Sequence, residues 1–206
     1  MRYLALAAVL TLTGCAAKPS ITANQCAAGD WQTIGYADAA KGLAKSRLLA
    51  HQDACGTHGI VPDRRAYMGG WEEGIATYCT ADNGFALGRR GARRNTVCAG
   101  DLAEPFTAAY TDGWQLYQAH RVVNQLQREL AHLERREQEL DYEIKGAKLA
   151  QIDPDLTVQE RLQLLSDLDS LLAERDDIRS ALPRVRAELA NKQDELDAVT
   201  QLLASS

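Results

Sequence analysis

The residues able to do chemistry are few, and their spacing favours cross-linking and binding over catalysis. Five cysteines stand at Cys15, Cys26, Cys55, Cys79 and Cys98. With Cys15 set apart, the other four form the even set that two disulfides need in an oxidising compartment. Three pairings are open. The preferred one joins Cys26 to Cys98 and Cys55 to Cys79, because Cys55 and Cys79 close two successive helices joined by a short Gly/Pro turn. Zinc is the competing use, since Cys55 and His58 have ligand-like spacing, but no second close Cys/His pair accompanies them and no metal site is expected. His51, His58, His120 and His132 lack a recognisable Ser, Cys or Asp partner pattern, and His51 is expected on a partly buried helix face. Glu72 and Glu73 are adjacent on a helix, so their side chains diverge by about 100° and cannot face one another as acid and base. No catalytic constellation emerges, and neither enzymatic activity nor a cofactor is expected.

Two clusters suit binding. Arg89, Arg90, Arg93 and Arg94 put four cations within six residues of a glycine-rich stretch. They form either a solvated loop or a cradle for lipid phosphate or peptidoglycan carboxylates. The pattern Ala-Tyr-x-x-Gly-Trp occurs twice, at Ala66–Trp71 and Ala109–Trp114. Glycine inside a helix costs about 1 kcal/mol against alanine, so its recurrence implies close backbone contact where two helices cross. Tyr110, Trp114 and Tyr117 fall at i, i+4 and i+7 and line one helix face, where they can meet Tyr67, Trp71 and Tyr78. Such rings build a small aromatic core or, in the sharper reading, a sugar-stacking groove for peptidoglycan or lipopolysaccharide with Trp71 and Trp114 at its centre.

At the N-terminus, Met1 and Arg2 precede a short apolar run from Tyr3 to Leu12, which fits a secretory signal and is too short to span a bilayer. Leu12-Thr13-Gly14-Cys15 resembles the lipobox of bacterial lipoproteins. The resemblance implies that residues 1–14 are removed and that Cys15 is fatty-acylated, palmitate being a typical chain, and becomes the first mature residue. Several acyl chains at ~0.8 kcal/mol per methylene give stable anchoring. Ala16, where an Asp would retain the inner membrane, favours the outer membrane facing the periplasm. The membrane is thus one expected partner.

The elements that must position these residues are helical. Residues 15–25 read as a polar tether. Residues 26–118 read as a disulfide-stapled helical head, with helices from Ile34 to about Cys55 and from Pro62 to Cys79, then a turn-rich loop from Thr80 to Gly100 bracketed by Cys79 and Cys98. Residues 119–206 read as an antiparallel coiled-coil hairpin. Val123, Leu126, Leu130, Leu133, Glu137, Leu140, Ile144 and Ala147 alternate in threes and fours, a heptad seam with one charged interruption. Asp153-Pro154 breaks the first arm, and Thr157 with Glu160 forms a capping box that opens the second. Pro183 should bend the returning arm and bring Leu196, Val199 and Leu203 beside Tyr110 and Trp114. The fold class is therefore mainly α, a small head with Gly-rich loops followed by a long hairpin.

Cys26, Asp30-Trp31, Gly35-Tyr36-Ala37-Asp38, Gly42 and Cys55 are followed by Tyr67, Gly70, Gly74 and Tyr78-Cys79. Asn83-Gly84, Gly88, Gly91 and Cys98 complete the order. Together they resemble domain-of-unknown-function family 2799 over roughly Cys26 to Tyr117, with Ala39 where the family has glycine. The resemblance implies an envelope lipoprotein of a Gram-negative bacterium and brings no activity. With 46% apolar and 25% charged residues and a net charge of −5, the chain suits a folded protein and nothing steers it to nucleic acid. The expected function is that of a lipid-anchored structural or adaptor protein holding a protein partner, or itself, through the coiled coil. The alternative is a ligand-binding module for peptidoglycan or lipopolysaccharide that uses the aromatic and arginine-rich surface.

Overall fold

The computed structural model describes residues 19–205, so the segment expected to be a signal peptide and Cys15 lie outside the described residues. Every described element is helical. The order is α1 (Ala23–Ala28), α2 (Trp31–Ala39), α3 (Arg47–Gly56), α4 (Arg64–Tyr78), α5 (Ala81–Arg89), a 3-10 turn at Gly100–Leu102, α6 (Ala103–Ala150) and α7 (Val158–Ala204). Among the described residues no helix is long and apolar enough to cross a membrane. One compact unit ends at Cys79 and a second begins at Thr80. The expected boundary near residue 118 falls inside α6, because the aromatic stripe and the heptad seam are consecutive stretches of one unbroken helix.

In the first unit, side-chain caps open most of the helices. Thr22 and Gln25 form a capping box on α1, Asp30 accepts from the Thr33 N–H, and Asp63 accepts from the Ala66 N–H. The helix expected from Ile34 to Cys55 is two helices, since Gly42 turns the chain at φ 73° between α2 and α3. The core forms where α4 packs on α2. A Cβ on Gly35 would overlap the Tyr67 carbonyl, and one on Gly70 would overlap that of Gln32, so the two backbones touch.

The disulfides correct the expected pairing. Cys26 is bonded to Cys55 with Cα atoms 5.6 Å apart, both buried, while Cys79 and Cys98 are disulfide-bonded too. Chain adjacency of α3 and α4 suggested Cys55 with Cys79. But α4 takes α2 as its packing partner, which leaves α3 to α1 and so Cys55 to Cys26.

The second unit repeats the crossing. Residues expected to be loop from Thr80 to Arg89 are α5, capped by Thr80. Gly84 and Gly88, which suggested turns, lie on the helix face that meets α6, and a Cβ on Gly88 would overlap the Tyr110 carbonyl. Gly113 stands against Phe85 as Gly70 stands against Gln32. The two Ala-Tyr-x-x-Gly-Trp motifs therefore cross α2 and α5 respectively.

Beyond Trp114, α6 and α7 pack together around Leu140, Ile144, Leu168, Ile178 and Leu182. Ion pairs fix an antiparallel register. Arg136 donates twice to Glu174 at 2.8 and 2.9 Å, Arg179 pairs with Glu137 at 2.7 Å, and Arg186 pairs with Glu134 at 2.8 Å. Glu137, the charged interruption of the seam, is thereby partnered. The expected Thr157–Glu160 capping box opens α7, and Arg161 donates to the Gln151 and Asp153 carbonyls of the turn. Pro183 does not end α7, and Leu196, Val199 and Leu203 are half-buried.

Candidate functional site

The arginine cluster sits where α5 ends. Arg89 closes its last turn, Arg90 is the cap residue, and Gly91 at φ 68° turns the chain out of the helix towards Arg93 and Arg94. All four arginines are exposed, and none has an ion pair among the described residues. The face of α6 beneath them is aromatic. Trp114 is stacked on Tyr110 with ring centres 6.0 Å apart and planes 17° apart, and it leans on Tyr117 at 5.3 Å. All three rings are half-exposed.

Two contacts fasten the loop to this stack. Tyr110 donates its phenol proton to the Ala92 carbonyl at 2.9 Å, and Gly91 lies so close to the Tyr117 ring that a Cβ there would overlap it. Five of the six expected binding residues, Arg89, Arg90, Arg93, Arg94 and Trp114, thus belong to one surface of the second unit. Trp71 does not. It is buried in the first unit, its indole N–H donates to the Leu43 carbonyl at 2.8 Å, and Lys45 lies 4.7 Å over its ring. A tryptophan spent on its own core in this way offers no open face to a sugar.

The surface joins two recognition chemistries. Guanidinium forks bind carboxylate or phosphate bidentately, and flat rings stack on the apolar faces of sugars. Because the loop's cations lack internal partners, a ligand anion breaks no ion pair on arrival.

Sequence spacing missed a second constellation. In the first unit His51 Nε2 lies 2.7 Å from Asp38 Oδ2, Tyr67 donates to the same oxygen at 2.8 Å, and Ser20 Oγ lies 2.8 Å from His51 Nδ1. With Asp38 ionised and the imidazole neutral, Nε2–H donates to the carboxylate and Nδ1 accepts from the Ser20 hydroxyl. Burial, then the bond to Asp38 and its negative charge, push the Tyr67 phenol well above its ordinary range. Asp38, His51 and Tyr67 are buried and come from three helices, so the network ties α2, α3 and α4 together and docks the segment before α1. The spacings of 13, 29 and 31 residues carry no periodic signal, and the placement of His51, Leu48 and Cys55 on one helix face was the only hint. Cys55 is held in its disulfide and is not a metal ligand, and no metal-binding group of three or more His, Cys, Asp or Glu forms among the described residues.

Residues 30–115 match the model of a family described as a protein of unknown function, DUF2799. No curated protein and no solved structure matches the chain. The matched span opens at the cap of α2 and closes one residue after Trp114. It therefore contains both glycine crossings and the arginine loop, and leaves out most of the α6–α7 hairpin.

Proposed function

We propose that this chain is an envelope lipoprotein that binds an anionic saccharide polymer, peptidoglycan or lipopolysaccharide, on the arginine loop and the Tyr110–Trp114–Tyr117 face. The observation that carries the reading is the fastening of the loop, in which Tyr110 holds Ala92 and Tyr117 backs Gly91. A loop held in place before ligand arrives loses less conformational freedom on binding than a loose one. Acylation at Cys15, with Ala16 next to it, would hold this surface at the outer membrane on the periplasmic side, within reach of both polymers. The protein would act by binding and not by chemistry, without a cofactor.

The test is co-sedimentation of the full chain with purified peptidoglycan sacculi and, separately, with lipopolysaccharide micelles. Arg89→Gln, Arg90→Gln, Arg93→Gln and Arg94→Gln combined should weaken retention by ten-fold or more on whichever polymer is the ligand, and added salt should do the same to the native chain. Retention unchanged by both would remove the proposal.

The hairpin supports a second reading, that of an adaptor whose rod holds a protein partner. Its support is the set of large apolar side chains left uncovered near the turn, including Leu149, Ile152, Val158 and Leu162. Deleting 126–182 should abolish partner crosslinks in intact cells and leave saccharide binding in place.

A further inference from the structure

The tip of the hairpin has the composition of an interface. Ile152 and Val158 are 77% and 78% exposed, and Leu162 and Leu165 are exposed beside them. Val158, Leu162 and Leu165 follow one another at i, i+4 and i+7, a stripe set roughly 60–120° around α7 from the buried Leu168. Because α6 and α7 run in opposite directions, that stripe shares one broad face of the hairpin with Ile152 and Lys148.

The charges on this face are ordered by height. Arg179 with Glu137 and Arg175 with Asp141 show which residues of the two helices lie abreast. The same register sets Lys148 of α6 level with Asp169 of α7. Neither has an ion pair within the chain among the described residues. Further from the tip, Asp141 is level with Asp176.

We propose that this face is a two-fold interface for a second copy of the chain, two hairpins lying parallel and face to face with α6 of each over α7 of the other. In that arrangement the apolar stripe of one copy covers Ile152 of the other, and Lys148 of each meets Asp169 of its partner copy. Away from the tip, Asp141 and Asp176 are already paired with Arg175 within each copy, so no free complementary charge extends the contact beyond the last turns. Both rods point the same way, as two copies anchored in one membrane need. A lipid surface fits the tip less well, since Asp153, Asp155 and Glu160 would face anionic headgroups. Four exposed apolar side chains are a small interface beside the ~800 Å² per partner of a standard one, so the dimer is weak, with a dissociation constant on the order of micromolar or above.

This rests on the second reading, in which the rod carries protein contacts, and narrows its partner to the chain itself. The test is sedimentation equilibrium of the full chain in a fixed mild detergent over a range of concentrations. The native chain should dimerise with concentration, and Lys148→Glu and Asp169→Lys should each raise the dissociation constant about ten-fold or more, the equivalent of ~1.4 kcal/mol. An equimolar mixture of these two variants should recover native association, because the introduced charges face one another and the two native charges do likewise. A native chain that stays monomeric, or a mixture no tighter than either variant alone, overturns the proposal. In either case, partner crosslinks lost on deleting 126–182 would leave the wider adaptor reading standing.

Discussion

Tyr110 reaches from α6 to the carbonyl of Ala92 across 2.9 Å, and through that bond a half-exposed tyrosine of the aromatic face fastens the segment that carries the surface cation cluster. Tyr110→Phe keeps the ring stacked on Trp114 and removes the bond. A net hydrogen bond is worth about 0.5–1.5 kcal/mol, so the thermal midpoint should fall only slightly. Saccharide retention should fall several-fold, because four charges then have to be ordered by the ligand. A Phe variant that binds as the native chain does would show that the bond does not organise the loop.

The glycines of the first motif make a sharper comparison. Gly69 and Gly70 are neighbours on α4, yet a Cβ on Gly69 meets nothing within 4 Å while one on Gly70 overlaps the backbone of Gln32. Gly69→Ala should therefore stabilise by roughly 0.5–1 kcal/mol through helix propensity. Gly70→Ala should destabilise by about 1–3 kcal/mol or prevent folding, since the obstacle is main chain and α2 must move away. Urea denaturation of the two variants checks this, and equal effects would contradict the crossing.

How far the sequence could be read depends on where each signal comes from. The α6–α7 hairpin was legible because the seam from Val123 to Ala147 and the Thr157–Glu160 cap are local patterns. Exposure of the arginines was legible for the same reason. Helix α5 was not, because Gly84 and Gly88 have two uses, turning a chain and admitting another backbone, and only the tertiary partner Phe106–Trp114 distinguishes them. The Cys26–Cys55 bond and the Asp38–His51–Tyr67 network were hidden because they depend on α4 choosing α2 over its chain neighbour α3.

The Cys26–Cys55 bond closes a sequence separation of 29 residues. Restricting a loop of that size contributes about 3.6 kcal/mol in the chain-entropy account. Non-reduced peptide mapping should recover Cys26 joined to Cys55. Cys26→Ser with Cys55→Ser should lower stability by about 2–5 kcal/mol. Recovery of Cys26 joined to Cys98 instead would refute the packing of α1 on α3.

Tyr67 gives the pH dependence its sign. Its phenol is fully buried, donates to Asp38, and holds its proton above the ordinary tyrosine range. The unfolded chain loses that proton near pH ~10 while the folded chain keeps it, so the unfolded state binds fewer protons in the interval between the two values. The stability that Tyr67 provides is therefore complete below about pH 10 and declines as pH rises beyond it, by up to ~1.4 kcal/mol per pH unit for one proton. Tyr67→Phe should cost about 1–3 kcal/mol at neutral pH, because Asp38 loses one of its two donors in a buried setting. It should also flatten the alkaline slope of the native chain by one proton. Denaturant midpoints measured from pH 8 to 11 for both proteins decide the matter, and parallel slopes would mean that the phenol is open to solvent and that the Asp38 network does not hold α2, α3 and α4 together.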